Sequence, residues 1–368
     1  MVHKGRILYF TRDYTTHDRR FLATLAGTGY HVYFLQLERR GHPLEDRPPP
    51  QGIERIPWTG GQAPASLSDG PRLLSDLKRV LREIKPDLVH AGPLQTTAFL
   101  AALAGFRPLV SMSWGYDLLL DADRNVLWRW ATRFTLRRSA VMVGDCNTIR
   151  RKAIDLGMPD ERIVTFPWGI DLTAFTSDAS ERTQSQTFKL LSTRGWESIY
   201  GVEVLARAFV KAARHCPELR LCMLGNGSQA DEIRRIFIEG EVINRVEFPG
   251  QVSQVDLPRY YRQADLYISA SHSDGTSISL LEALACGCPA LVSDIPGNRE
   301  WVEPGEHGWW FPDGDVDALA ATILDTVDQR HRLPEMGQAA RQLAEKRADW
   351  EKNFQELTRA YQLAMNNQ

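Results

Sequence analysis

Short apolar runs alternate with helix-periodic segments along the whole chain, and that alternation allows few architectures. A strand-like run followed by a helical pattern and then another run builds a parallel sheet, because the crossover helix has to cover one face of it. In the first half the runs are Arg6–Phe10, Val32–Leu37, Leu88–His90, Leu109–Ser113, Val141–Val143 and Ile163–Phe166. Helical patterns separate them at His17–Thr28, Leu73–Ile84, Thr97–Ala104 and Asn147–Leu156. The second half repeats the scheme with runs at Phe188–Ser192, Arg220–Leu224, Arg245–Phe248, Leu266–Ser269 and Ala290–Val292. Its helical segments are Val202–His215, Ala230–Gly240, Pro258–Arg262 and Ser277–Cys286. Trp350–Met365 reads as a terminal amphipathic helix.

A chain of 368 residues exceeds one ordinary core, so two domains are expected. Residues 1–170, joined by a C-terminal helix at about 350–368 that crosses back, form the first. Residues 171–349 form the second, and the polar stretch Ser177–Gln186 has the composition of a linker. Hydrophobic content of 43% with 24% charged residues excludes a disordered chain. No apolar run reaches membrane-span length, and the N-terminus enters a strand without a secretory segment, so a cytoplasmic protein is expected. The five cysteines lack zinc spacing and read as reduced thiols. Residues 1–175 hold 24 Lys and Arg against 18 Asp and Glu, and the remainder 20 against 28. A basic first half suits an anionic acceptor or the inner face of a membrane, and no nucleic acid is expected as a partner.

In open parallel sheets, ligands bind beyond the carboxyl ends of the strands. Four unusual segments of the second half fall at its entrance or directly after its predicted strands: PWGID at 167–171, TRGWESIYG at 193–201, GNGS at 225–228 and SHSDGTSISLLEALACG at 271–287. The last carries the most information. Gly275-Thr276-Ser277 opens a helix whose buried face is Leu280, Leu281 and Leu284, and Gly287 and Pro289 end it. Free backbone N–H groups at such a start, with the helix dipole behind them, make an anion site. Asp274 stands at its mouth and Glu282 one to two turns in. Two carboxylates do not favour phosphate by charge, but they can accept hydrogen bonds from sugar hydroxyls on either side of it. A solvated turn Asp and an ordinary helix Glu are the plain alternative.

The stretch 265–302, DLYISASHSDGTSISLLEALACGCPALVSDIPGNREWV, resembles the signature of family 4 of the retaining glycosyltransferases. Supporting similarity runs through PDLVH at 86–90, PWGID and GNGS. The resemblance implies an α/β protein with the GT-B fold, two Rossmann-like domains facing across a cleft, and a donor that is a nucleotide diphosphosugar, UDP- or GDP-linked, with no further cofactor or metal. It implies that Asp274 and the amides of Gly275, Thr276, Ser277 and Ile278 hold the donor sugar and that Glu282 holds the ribose. Asp274 departs from the family's Glu and shortens the reach by one methylene. The family's diphosphate-binding Arg falls on Arg194, while its Lys is replaced by Tyr200, which can donate a hydrogen bond but brings no charge. Gly225, Asn226 and Gly227 form either a turn approaching the donor or a plain tight turn, and the backbone near Val252 is expected against the base.

On the acceptor side the candidates are Asp13, His17, Arg19 and Arg20 after the first strand, His90, Trp114 and Asp117. Trp114 stands where many relatives have a His before Gly. His90 has a second reading as a satisfied core histidine. The acceptor class expected is a carbohydrate, a lipid-linked group or a small molecule. Over Arg124–Arg138, Leu127, Trp130, Ala131 and Phe134 form one stripe and Arg129, Arg133 and Arg137 another. The apolar stripe either packs on its own sheet or lies on anionic lipid. The function expected is sugar transfer to an acceptor hydroxyl in cell-envelope polysaccharide, glycolipid or other glycoconjugate synthesis. A nucleotide-sugar epimerase or sugar phosphorylase on the same architecture, and a non-catalytic donor-binding subunit, are the alternatives.

Overall fold

In a computed structural model of the chain, residues 4–39, 45–178 and 186–366 are described. The expected linker therefore lies mostly outside the described residues. The chain divides into two compact units, one of Met1–Phe166 with Phe354–Gln368 and one of Pro167–Asn353.

The first unit is built on strands β1 Arg6–Thr11, β2 His31–Gln36, β3 Ile53–Arg55, β4 Leu88–Gly92, β5 Leu109–Met112, β6 Val141–Gly144 and β7 Ile163–Thr165. They form one sheet in the order β3-β2-β1-β4-β5-β6-β7, and every pairing is parallel. The second unit holds β8 Phe188–Ser192, β9 Leu219–Leu224, β10 Val246–Gly250, β11 Leu266–Ser269, β12 Ala290–Ser293 and β13 Gly308–Phe311. Their order is β10-β9-β8-β11-β12-β13, again parallel throughout. Central strands such as β4 and β12 are buried along their whole length, as helices on both faces require.

In both sheets the chain runs from its first strand to one edge and then returns to the other side of that strand. The reversal opens a crevice beyond the carboxyl ends of β1 and β4 in one unit, and of β8 and β11 in the other. The α/β class and the doubly wound design follow the alternation read from sequence. Two strands were not expected, and both are edge strands. β3 is three residues long and mostly exposed, so it carries almost no apolar pattern. β13, GWWF, is buried only at its two ends. Among the described residues, no helix is long and apolar enough to cross a membrane.

Candidate active site

The register of the second sheet decides which loops meet. Leu190 pairs with Leu266 and Leu191 with Tyr267, so the loops that leave β8 and β11 emerge side by side. Gly201 ends the first loop at φ +57°, and a Cβ there would lie 2.0 Å from the Ala270 carbonyl of the second. Only glycine allows that approach.

Arg194 enters this junction from the β8 loop and is 9% exposed. Its Nη2 donates to Asp274 Oδ2 at 2.7 Å, and its Nη1 to Ser277 Oγ at 2.8 Å and Ser279 Oγ at 3.3 Å. The Tyr200 ring covers the guanidinium, with its centroid 4.1 Å from Cζ. Burial pushes the Asp274 carboxyl above its ordinary range, against the pull of Arg194. Ser277 caps the helix Ile278–Ala285 by accepting from the Leu280 N–H, as expected for a polar helix start. Gly275, Thr276, Ser277 and Ile278 thus lead into a helix terminus beside a buried guanidinium. Arg194, expected on the donor diphosphate, and Asp274, expected on the donor sugar, form an ion pair with each other. Tyr200 contributes a ring face that stacks on the cation.

Glu282 is 6% exposed and accepts from Tyr261 Oη at 2.8 Å, while the same hydroxyl lies 2.9 Å from Thr193 Oγ1. Sequence reading missed Tyr261, Thr193 and Ser279. Ser279 had a signal, a second hydroxyl two residues beyond Ser277 in the same helix start, whereas nothing in sequence links Tyr261 to Glu282.

The Gly225–Gly227 turn packs on the β8 loop. Gly225 has φ +94°, and a Cβ on Gly227 would meet the Trp196 carbonyl at 2.4 Å. The Asn226 carbonyl accepts from the Trp196 N–H at 3.0 Å. Beside the turn opens a cavity of about 580 Å³ whose lining includes Trp196, Asn226, Arg234, Phe248, Gly250 and Gln251. The side chain of Val252, whose neighbouring backbone is expected against the base, packs on the apolar cluster that includes Tyr261 and Leu281. The strand bends at a register shift between Glu247 and Gly250, and Gly250 and Gln251 take the position at the cavity.

In the first unit His90 lies in β4, and the other acceptor-side candidates follow β1 and β5. Asp13 accepts from the Tyr14 N–H and from Gln36 Nε2, each at 2.8 Å. The His17 ring lies 6.2 Å from Trp114, and Phe21 meets Trp114 edge-on at 6.1 Å. Burial, and then Arg20, push His17 down to about 4, so it is neutral at pH 7. Arg19 and Arg20 are half-buried on the same helix. Arg12 pairs with the buried Glu38 at 2.6 Å across the ends of β1 and β2, a contact not anticipated.

Two acceptor-side candidates belong to the core instead. His90 is 2% exposed. Its Nδ1 lies 2.6 Å from Tyr361 Oη of the C-terminal helix and its Nε2 3.0 Å from Met112 Sδ. Asp117 is fully buried and accepts from the Leu94 N–H, Ser113 Oγ and the Trp114 N–H at 2.7–3.0 Å. Both are satisfied internally, and neither presents a group to a ligand. Among the described residues no three His, Cys, Asp or Glu side chains are placed to hold a metal ion.

Two family models match the chain in succession, a "Glycosyl transferase 4-like domain" over residues 14–169 and "Glycosyl transferases group 1" over residues 176–343. The chain is 25% identical over 309 residues to the GDP-mannose-dependent alpha-(1-6)-phosphatidylinositol monomannoside mannosyltransferase of Mycolicibacterium smegmatis, covering 76% of this chain and 77% of that one. Its fold matches sucrose-phosphate synthase from Thermosynechococcus elongatus with a TM-score of 0.81 at 18% identity, over 99% and 100% of the two chains. Anabaena HepE in complex with UDP-glucose aligns with a TM-score of 0.77 at 18% identity, over 97% of this chain and 99% of that one. With both halves matched in order and each built on a doubly wound parallel sheet, the chain belongs to the glycosyltransferases of the GT-B fold, with a family-4-like first domain and a group 1 second domain.

Proposed function

We propose that this glycosyltransferase moves a sugar from a UDP- or GDP-linked donor to a hydroxyl of a carbohydrate, lipid-linked or small-molecule acceptor. Configuration at the anomeric carbon is retained, no metal takes part, and the setting is glycoconjugate synthesis at the cytoplasmic side of a membrane. The two domains are residues 1–170 with the returning C-terminal helix, and 171–349. One observation supports this reading most: a buried guanidinium, Arg194, shares the crevice beyond β8 and β11 with the amides that open Ile278–Ala285. Together they supply a charge and oriented dipoles to a departing diphosphate.

The chemistry asks little else of the protein. The bond between the anomeric carbon and the diphosphate oxygen breaks, and the diphosphate leaves with the electron pair. The acceptor oxygen bonds to the same face of that carbon and passes its proton to the leaving phosphate oxygen. Arg194 and the amides of Thr276, Ser277 and Ile278 stabilise the negative charge. As the diphosphate engages Arg194, Asp274 turns to a donor sugar hydroxyl. Glu282 accepts from the ribose, and Gly225, Asn226 and Gly227 approach the nucleotide, whose base lies by Gly250 and Gln251. Trp114, His17, Asp13, Arg19 and Arg20 face the acceptor. A protein base is not required, which accords with a Trp at position 114.

Nucleotide sugars that bind should raise the melting temperature by mass action, and nucleotide diphosphate should be released only when an acceptor is supplied. Interconversion of the donor sugar favours the epimerase instead, and phosphate-dependent cleavage of a glycoside with no nucleotide sugar present favours the phosphorylase. Binding without turnover over a broad acceptor panel favours a donor-binding subunit.

Glu282→Ala is expected to weaken donor binding ten- to a hundredfold, from the loss of about 1.5–3 kcal/mol of charged hydrogen bonding. Glu282→Gln keeps an acceptor for Tyr261 and controls for loss of fold. A donor dissociation constant unchanged by Glu282→Ala in calorimetry removes Glu282 from the site.

A further inference from the structure

The helix Val126–Arg138 turns outward much of the apolar stripe that its sequence leaves to either the sheet or a lipid surface. Of the expected stripe, only Ala131 is buried, and the helix seats itself through Ala131, Thr132, Thr135 and Leu136. Val126 is 85% exposed, Leu127 63% and Trp130 52%. Residues 126, 130, 133 and 137 follow the i, i+4, i+7, i+11 spacing of one helical ridge. That outer ridge therefore reads Val126, Trp130, Arg133, Arg137, with Leu127 beside it. Trp130 is held in place, stacked on Phe134 at 5.5 Å and edge-on to Phe99 at 5.8 Å. Its exposure is a fixed feature of the surface.

The charge on this face has one sign. Arg124–Arg138 contains five arginines and no Asp or Glu, and all five are exposed. The nearest acid beyond its start, Asp123, is bonded to Arg129 and Lys152. Exposed Val and Leu, an oriented Trp and exposed arginines on one short helix are what a bilayer interface accepts. Aliphatic tips enter the acyl boundary, the indole sits at headgroup depth, and guanidinium groups reach anionic phosphates along their apolar stems. An acidic protein would meet the charge but would leave Val126 and Leu127 without a matching use.

We propose that the outer face of Val126–Arg138 docks the first unit on the headgroup region of an anionic bilayer, through Val126, Leu127 and Trp130 together with Arg133 and Arg137. The inference rests on the proposed function only for its setting, an acceptor reached at a membrane surface. The test is sedimentation of the full chain with vesicles of phosphatidylcholine alone or with added phosphatidylglycerol, at rising salt. Binding is expected on the anionic vesicles at low salt and should fade as the screening length shortens to about 8 Å at physiological ionic strength. Val126→Glu with Leu127→Glu should lower partitioning by about tenfold or more, and Arg133→Gln with Arg137→Gln should weaken the salt-sensitive part. Ile238→Glu, at a residue 60% exposed on a helix of the second unit, should bind as the parent does. The proposal is overturned by equal binding to neutral and anionic vesicles, by no binding, or by helix variants that partition normally. Self-association lost with the same variants, in place of vesicle binding, also overturns it. The donor-induced thermal shift is measured on the same proteins. Its absence in the parent removes the transferase reading and leaves the vesicle result standing, whereas its persistence in a vesicle-inactive variant confines the failure to the docking face.

Discussion

Arg194→Ala is expected to lower turnover about a hundredfold or more, the scale of loss when one preorganised donor to a developing oxyanion is removed. The expectation follows from what surrounds the guanidinium. It is nearly enclosed, it bonds Asp274 and Ser277 at 2.7 and 2.8 Å, and the Tyr200 ring covers its face. Water competes little there, so charge delivered to a diphosphate counts for more than it would at the surface. Truncation also leaves Asp274 buried without its cation, and burial already pushes that carboxyl up, so part of the loss comes from a carboxyl that takes a proton. Arg194→Lys keeps a charge and loses the fork, and should fall between the parent and the alanine variant. Tyr200→Phe keeps the ring over the guanidinium and should lose far less than Arg194→Ala. Turnover is measured per folded molecule, with circular dichroism fixing the folded fraction. Near-normal turnover in Arg194→Ala means that the diphosphate binds elsewhere and that the assignment of the β8 loop is wrong.

The second large effect is on stability at low pH. Burial holds His90 down to about 3, against an ordinary value of 6.5. Below pH 6.5 the unfolded chain takes up a proton at this residue that the folded chain refuses until about pH 3. Stability therefore falls as pH falls through that window. His90→Phe removes the titration. The stability of the parent relative to this variant should drop by roughly 3 kcal/mol between pH 7 and pH 4. Asp18 and Asp117, both pushed up to about 6 by burial, act with the opposite sign. They are present in both proteins and cancel in the comparison. The variant also loses the contact to Tyr361 Oη, a fixed cost that shifts the curve without tilting it. Denaturant melts at several pH values read the slope directly. Parallel curves would mean that His90 takes up its proton in the folded chain as readily as in the unfolded one and that its contacts to Tyr361 and Met112 are not as described.

The helix start at 276–278 was legible in sequence because local rules govern it, whereas the roles expected of Glu282 and Arg194 came from the resemblance to family 4 of the retaining glycosyltransferases. A capping serine, a leucine face and a glycine stop define a helix within ten residues, and strand ends point to crevices wherever a parallel sheet forms. The alternation of apolar runs and helical periods is equally local, and it set the α/β class and most strands of both sheets. β3 and β13 escaped because an edge strand of three or four residues is held by backbone pairing to one neighbour, which needs no apolar pattern.

What only the tertiary structure decided lies in pairs far apart in the chain. Arg194 and Asp274 meet across 80 residues because β11 inserts beside β8, and nothing in either loop states that order. His90 and Tyr361 meet across 271 because the C-terminal helix completes the first unit. The same holds for the helix Val126–Arg138. Its periodicity fixed that one face would be apolar, but the choice of the buried face fell to Thr132 and Thr135, whose hydroxyls bond carbonyls of their own helix. Side chains satisfied in this way can be buried at small cost, and Val126, Leu127 and Trp130 were left on the outside.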